Sequence, residues 1–177
     1  DEMGEVDPAL AAYWKLDEVV GNNTTPDTLG SYPLTLVNLS EADLVAGARD
    51  MAMAFSNASN TLAEYIAEPG DRLPINLNPE RTISLWVKAK GTGQTDLRFF
   101  AEASTTDGNP LFNMGTHNTA ADDTVDLYIR PPGNHEHSEG APLDDEWHHL
   151  AWVSAADGVA TLYIDGVADT FGPWGNN

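Results

Sequence analysis

The chain has 177 residues, no cysteine, and 28 Asp and Glu against 8 Lys and Arg, a formal charge of −20. The missing cysteine excludes a disulfide scaffold, a thiolate zinc site and a cysteine nucleophile. The charge argues against binding nucleic acid or anionic lipid through a basic face.

A net charge this high signals disorder in many chains, but a 41% hydrophobic share and five Trp argue for a packed fold here. An acidic shell suits a salty medium, in which self-repulsion is screened. No apolar run approaches the ~20 residues that span a bilayer, so the protein is expected not to be membrane-embedded. The length suits one domain. Residues 1–11 read as an acidic leader and 12–177 as that domain; no signal peptide is recognised.

Ala12–Leu16 is the first strand candidate, followed by a loop-like Gly21–Gly30 and an alternating Pro33–Leu39. Glu41–Asp50 reads as a loop. Met51–Phe55 and Leu62–Ile66 read as short strands on either side of a polar Ser56–Asn60. In Arg81–Lys88, Ile83, Leu85 and Val87 point one way while Thr82, Ser84, Trp86 and Lys88 point the other, as in a half-buried strand. Leu97–Ala101, Leu111–Met114 and Val125–Ile129 continue the series. Trp147–Ser154 and Val159–Ile164 flank Asp157-Gly158, a hairpin signal, and Asp165-Gly166 turns the chain into Val167–Phe171. About ten or eleven strand candidates and no convincing helix give an all-β, two-sheet antiparallel β-sandwich.

Three segments carry a resemblance to a known family. Trp14-Lys15-Leu16-Asp17-Glu18 looks like the opening strand of laminin-G-like, concanavalin A-like domains. Thr82-Ile83-Ser84-Leu85-Trp86-Val87-Lys88 is similar to that family's tIS-WVK strand. Glu146-Trp147-His148-His149-Leu150-Ala151-Trp152-Val153 with Leu162-Tyr163-Ile164-Asp165-Gly166 resembles its W-H-H-[LV]-A … L-Y-[IV]-D-G hairpin. The order and spacing hold over residues 12–171. The resemblance implies a jelly-roll sandwich. Where the family runs on into further strands, this chain has only Pro173-Trp174-Gly175-Asn176-Asn177. Loss of those C-terminal strands would leave an open sheet edge beside the Trp14 strand, unless the C-terminal residues improvise a strand. Such an edge is a place for self-association or a partner strand. The family's calcium-holding F-D-G-x-D-D-Y segment is here Phe55-Ser56-Asn57-Ala58-Ser59-Asn60, whose Asn and Ser are weaker ligands for a hard cation.

A retaining glycosidase of this fold needs two carboxylates on one strand face, as in E-x-D-x-x-E, and the sequence has no such run. No catalytic residue is therefore assigned. His135-Glu136-His137 could contribute to a transition-metal site with Glu139 or His117, but reads more simply as a solvated loop. Of His148 and His149, one ring points inward as a hydrogen-bonded core residue. Sugar binding needs an aromatic platform with planar polar groups beside it. Loop aromatics Tyr32, Phe112 and Trp174 with Asn113, His117 and Arg130 are the candidates, and Trp86 with Arg98 on a concave face is another. Calcium, which laminin-G-like domains often hold, has Asp107, Asn57 and Asn60 as candidate ligands. Four N-x-[ST] triplets begin at Asn22, Asn23, Asn38 and Asn57, and matter only in a eukaryotic secreted protein.

The expected function is a non-catalytic recognition module of an extracellular or cell-surface, secreted bacterial protein, binding a glycan or a cell or matrix surface. The charge predicts a preference for neutral or cationic glycans, with strongly sulfated or carboxylated polymers expected to bind poorly unless calcium bridges them. A structural or assembly subunit of a surface filament or virion is the alternative, and a glycoside hydrolase a disfavoured second one.

Overall fold

The computed structural model describes residues 7–56, 64–68, 73, 80–104, 109–130, 133–170 and 174–175. They form strands, turns and one 3-10 turn, with no α-helix among them. No helix is long and apolar enough to cross a membrane among the described residues. The chain falls into two compact units, 1–74 and 75–177.

In the first unit, β1 (Thr24–Thr25) and β5 (Tyr65–Ala67) flank β2 (Leu34–Val37), all antiparallel. A second ribbon pairs β3 (Leu44–Ala46) with β4 (Met51–Met53). Leu36, Leu39 and Met53 are buried together, with Leu16, Val19, Leu44 and Ile66 against them. The stretch expected to be only loop opens with a 3-10 turn, Glu41–Asp43, and continues into β3. Ser40 and Asp43 form a reciprocal capping box that fixes the turn: Ser40 N donates to Asp43 Oδ2 at 2.8 Å, and Ser40 Oγ accepts from Ala42 N at 3.2 Å.

The Trp14 segment is not a strand. Leu16 sits at φ 58°, in the left-handed region that a β-run excludes. The Tyr13 amide is drawn away to the Asp27 carboxylate at 2.8 Å. Asp27 Oδ1 also accepts from Leu29 N, and its Oδ2 accepts from Ser31 N and Tyr32 N, at 3.0–3.1 Å. One carboxylate thus gathers a segment whose composition reads as unstructured loop.

The second unit is a sandwich. Its first sheet has the order β10-β9-β8-β7, from β7 (Arg98–Ala103), β8 (Pro110–Thr116), β9 (Val125–Ile129) and β10 (Asn134–His137). Its second sheet has the order β13-β12-β11-β6, from β6 (Arg81–Lys90), β11 (Asp144–Ser154), β12 (Val159–Ile164) and β13 (Val167–Ala168), with β14 (Trp174–Gly175) also on β12. All pairings are antiparallel. The inward residues Phe112, Met114, Val125, Leu127, Leu150, Trp152 and Leu162 of the two sheets pack into one core, with Ile83, Leu85 and Val87 against it. Burying each of the large ones is worth about 1.5–3 kcal/mol.

The β6 alternation holds residue by residue: odd positions face the core and even positions are exposed. At Asp165-Gly166 the two central residues have φ 52° and 79°, as a type I′ hairpin requires. The polar stretch Pro131–Gly140, read as a solvated loop, contains β10, which adds an edge strand to β9. Val167–Phe171 shortens to the two residues of β13. The C-terminal residues do improvise a strand: Ala160 pairs with Trp174 and Val159 with Gly175, while β13 covers Tyr163 and Ile164. Between these caps Asp169 N donates to Leu162 O at 2.8 Å, so the outer side of β12 is occupied along its length.

Candidate functional site

The outer faces of the two sheets of the second unit differ in chemistry. On the first sheet, register places His137 opposite Asp126 and His135 opposite Tyr128. The same rows continue through Gly115 and Asn113 on β8. Asp126 is only 4% exposed, and three histidines surround it. His135 Nδ1 lies 3.0 Å from both its oxygens, and His137 Nε2 lies 3.1 Å from Oδ1 and 3.0 Å from Asn118 Oδ1. Facing only acceptors, both nitrogens are donors. His117 stacks on His137 and closes the cluster. Burial pushes the Asp126 carboxyl up, against the pull of the imidazoles. Burial, and then His117, push His137 down.

Beside this cluster Asn113 is 4% exposed. The amide orientation that satisfies both ends has Oδ1 accepting from Arg98 Nε at 3.2 Å and Nδ2 donating to Phe112 O at 2.8 Å. Arg98 also pairs with Asp96 at 3.2 Å. These groups satisfy one another, so the face is a closed polar network that holds protons and position. Among the described residues no group of three or more His, Cys, Asp or Glu side chains is arranged to hold a metal ion. His117 does reach His137, as the sequence allowed, but as a stack rather than as a second converging ligand.

The outer face of the second sheet is open. Trp86 stands in the middle of β6 and is 46% exposed. His149 is its cross-strand partner, with ring centroids 5.3 Å apart at 54°. Lys88 faces Trp147 one step along, and Ser84 faces Ala151, which faces Tyr163 on β12. Cross-strand neighbours on one face sit about 4.5–5.5 Å apart. Trp86, Trp147, His149 and Tyr163 therefore form one aromatic surface with Lys88 inside it. Of the pair from which one inward core ring is expected, His148 is on the face of β11 opposite to His149, and its hydrogen bonds are to two exposed carboxylates. Its Nδ1 meets Asp165 Oδ2 at 2.6 Å and its Nε2 meets Asp144 Oδ1 at 3.1 Å.

The residues proposed from sequence are dispersed over this framework. Asn113 and His117 come together on the first sheet's outer face. Arg130 ends that face, its N donating to Leu111 O at 2.8 Å. Phe112 is corrected outright: it is not a loop aromatic but 1% exposed in the core, its ring 4.8 Å from that of Trp152. Tyr32 belongs to the first unit, where its carbonyl accepts from Trp14 Nε1 at 2.6 Å. Trp174 is in a paired strand by its backbone, and its side chain lies outside the described residues. Asp107, Asn57 and Asn60 also lie outside the described residues, so no calcium enters the reading of this site. Trp86 and Arg98 stand on different sheets and cannot share a ligand as one platform. The Trp86 partners His149, Trp147 and Tyr163 went unrecognised as a set. The signal was present, since each is at an outward position of an alternating run.

A laminin-G family model described as the Concanavalin A-like lectin/glucanases superfamily matches residues 60–172, well over half of the chain. The match contains both the β6 segment and the β11–β12 hairpin. No curated protein and no solved structure matches significantly. With the layered antiparallel fold and the two motifs in place on adjacent strands, the chain belongs to the concanavalin A-like lectin/glucanases superfamily.

Proposed function

We propose that the domain is a non-catalytic carbohydrate-recognition module of an exported protein, and that it holds its glycan on the outer face of the second sheet. The observation that carries this reading is Trp86, nearly half exposed at the centre of a ten-residue strand and flanked by aromatic neighbours. Exposed indole area in a contiguous patch is costly in water, and a ligand that covers it recovers that cost. The apolar face of a pyranose packs on the indole, while Ser84, Lys88 and His149 reach the hydroxyls at its edge. Such a flat site covers only part of its ligand and binds with modest affinity.

A binding rather than a cutting role is favoured by what the face is made of. From Thr82 to Lys88, Trp147 to Val153 and Thr161 to Tyr163 the outward positions include no Asp or Glu, and the first carboxylate in register is Asp144, opposite Lys90 at the bulged end. Hydrolysis of a glycoside on this face would need two.

The test is a glycan panel titrated against the protein and Trp86→Ala, with and without added calcium and with chelator. Binding lost in Trp86→Ala at an unchanged melting temperature supports the reading. Wild-type binding that survives the substitution, or new reducing ends from the panel, overturns it.

The assembly reading keeps one specific support. Among the described residues β6 has a strand partner on one side only, β11. A strand from a neighbouring molecule would add there. Light scattering that finds a concentration-independent monomer overturns that alternative.

A further inference from the structure

We infer that the glycan bound on the Trp86 face carries carboxylate groups, one per sugar ring, as a polyuronate does. The inference rests on the proposed recognition role and names its ligand class. A chain with 28 acidic residues in 177 gives the ten residues of β6 none, yet gives them Arg81, Lys88 and Lys90, three of its eight Lys and Arg. Arg81 faces inward, with its guanidinium 5.3 Å from the ring of Trp152. Lys88 and Lys90 are exposed on the same face as Trp86 and make no ion pair or hydrogen bond among the described residues. Lys88 is surrounded by Trp86, Trp147 and His149, none of them an anion.

Two carboxylates near this face have other partners, and Asp145 and Glu146 sit in the β11 bulge before Trp147 without an ion pair to Lys88 among the described residues. Asp165 accepts from His148 Nδ1 and from His149 N, and Asp144 accepts from His148 Nε2 and Glu146 N. Asp144 stands opposite Lys90 in register, at the bulged end of β11. That leaves Lys88 as the cation beside the platform without a counter-charge. Residues two apart on a strand are about 6.6–6.8 Å apart. A ring stacked on Trp86 therefore places an equatorial carboxylate over Lys88 and the next ring's carboxylate towards Lys90.

The net charge of −20 argues for neutral or cationic ligands only at long range. The screening length is about 8 Å at physiological ionic strength, so at contact the unpaired lysines decide. Two separate point charges, rather than a dense cluster of guanidinium forks, match one anion per ring and not the higher density of a sulfated chain.

The probes are hexamers of polygalacturonate, the same hexamers after reduction of their carboxyl groups, a sulfated dextran of similar length, and a polyglutamate peptide. Each is titrated by calorimetry against the wild-type protein, Lys88→Ala, Lys88→Gln and Trp86→Ala. The expected result is uronate binding at least about tenfold tighter than the reduced form. In both Lys88 variants uronate and reduced hexamers should bind equally, whatever the hydroxyl contact of Lys88 contributes to either, and Trp86→Ala should abolish both. Equal affinity for uronate and reduced hexamers overturns the carboxylate inference and leaves the glycan reading standing. Sulfated dextran or polyglutamate binding as tightly as uronate also overturns it, because charge alone would then be the determinant. Loss of no binding in Trp86→Ala overturns the underlying recognition reading instead.

Discussion

His117 lies flat on His137, ring centroids 3.7 Å apart and planes 7° from parallel. His117 Nδ1 accepts from Thr119 N at 3.1 Å and Ala120 N at 3.0 Å, so that nitrogen carries no proton. His137 uses its Nε2–H on Asp126 and Asn118. A second proton on the His137 ring sets a positive charge flat against the His117 ring. Burial, His117 and His135 hold the His137 imidazole below its ordinary 6.5, against the pull of Asp126 and Asp122. The unfolded chain therefore takes up this proton first, and stability falls as pH drops below about 6.5. His137→Gln, which cannot titrate, is expected to lose more melting temperature relative to wild type at pH 7.5 than at pH 5. The gap should narrow by about 2 °C or more, the effect of a fraction to one kcal/mol in a chain of this length. A gap independent of pH removes the stack from the list of titrating contacts.

His148 predicts the opposite slope. Its bond to Asp165 raises its pKa above 6.5 against the opposing effect of desolvation, with the Asp144 bond and the charges of both carboxylates adding to the rise. Asp165 is lowered, first by the His149 amide and then by His148. A raised histidine contributes stability that is complete below about 6.5 and is lost as pH rises through the folded value. A lowered carboxyl contributes above about 3.8 and loses that contribution as pH falls. The clamp is therefore strongest between about pH 4 and 6.5. His148→Gln should be most destabilising near pH 6 and least near pH 9, by differential scanning calorimetry. Equal deficits at both pH values would mean that packing, not charge, is lost.

The two histidine pairs also show what a sequence can carry. His148 facing away from His149 follows from alternation along β11, and the β6 faces and the Asp165-Gly166 turn follow from period two and from turn chemistry. Phe112 obeys the same alternation with Met114 inside the Leu111–Met114 strand run, which places it in the core rather than among loop aromatics. The His117–His137 stack has no such local signal. It joins positions twenty residues apart through a strand, β10, whose sequence is wholly polar because it is an edge strand covering a buried carboxylate. The Trp14 segment failed for a related reason: apolar alternation suggested a strand, but Asp27 satisfies its backbone instead.

That carboxylate gives a local prediction. Burial raises the pKa of Asp27, but the backbone N–H groups of Tyr13, Leu29, Tyr32 and Ser31 outweigh it and hold it below 3.8. Asp27→Asn keeps the size but removes the charge and turns one acceptor into a donor facing Ser31 N and Tyr32 N, or Tyr13 N and Leu29 N. Leaving such amides unsatisfied costs about 1–3 kcal/mol. Hydrogen exchange at Tyr13, Leu29, Ser31 and Tyr32 should accelerate by about tenfold or more, while amides of β11 in the second unit keep their protection. Uniform acceleration across both units would show that the loop is not a local unit of stability.

Gly91 is where the end of β6 meets the turn that leads into β9. A Cβ built there would lie 1.9 Å from Asp122 O and 2.7 Å from Asp123 Cα, both backbone. Relief by a flexible side chain is therefore excluded. The two segments are also fastened together: Thr92 N and Oγ1 donate to Asp123 Oδ1 at 3.0 and 3.1 Å, and Gly91 N donates to Leu143 O at 2.9 Å. Asp122 in turn orders Thr124, accepting from its N at 3.0 Å and its Oγ1 at 2.6 Å, directly before Val125 and Asp126. Gly91→Ala must push the Asp122–Asp123 backbone outward and strain these bonds together. The expected cost is more than about 2 kcal/mol, or about 4–8 °C in melting temperature for a chain of this size. The same displacement should reach the histidine cluster as faster exchange at Thr124 and Ser138, whose N donates to Val125 O at 3.0 Å. An alanine variant with wild-type melting temperature would show that the β6 end and the β9 turn do not meet at this distance.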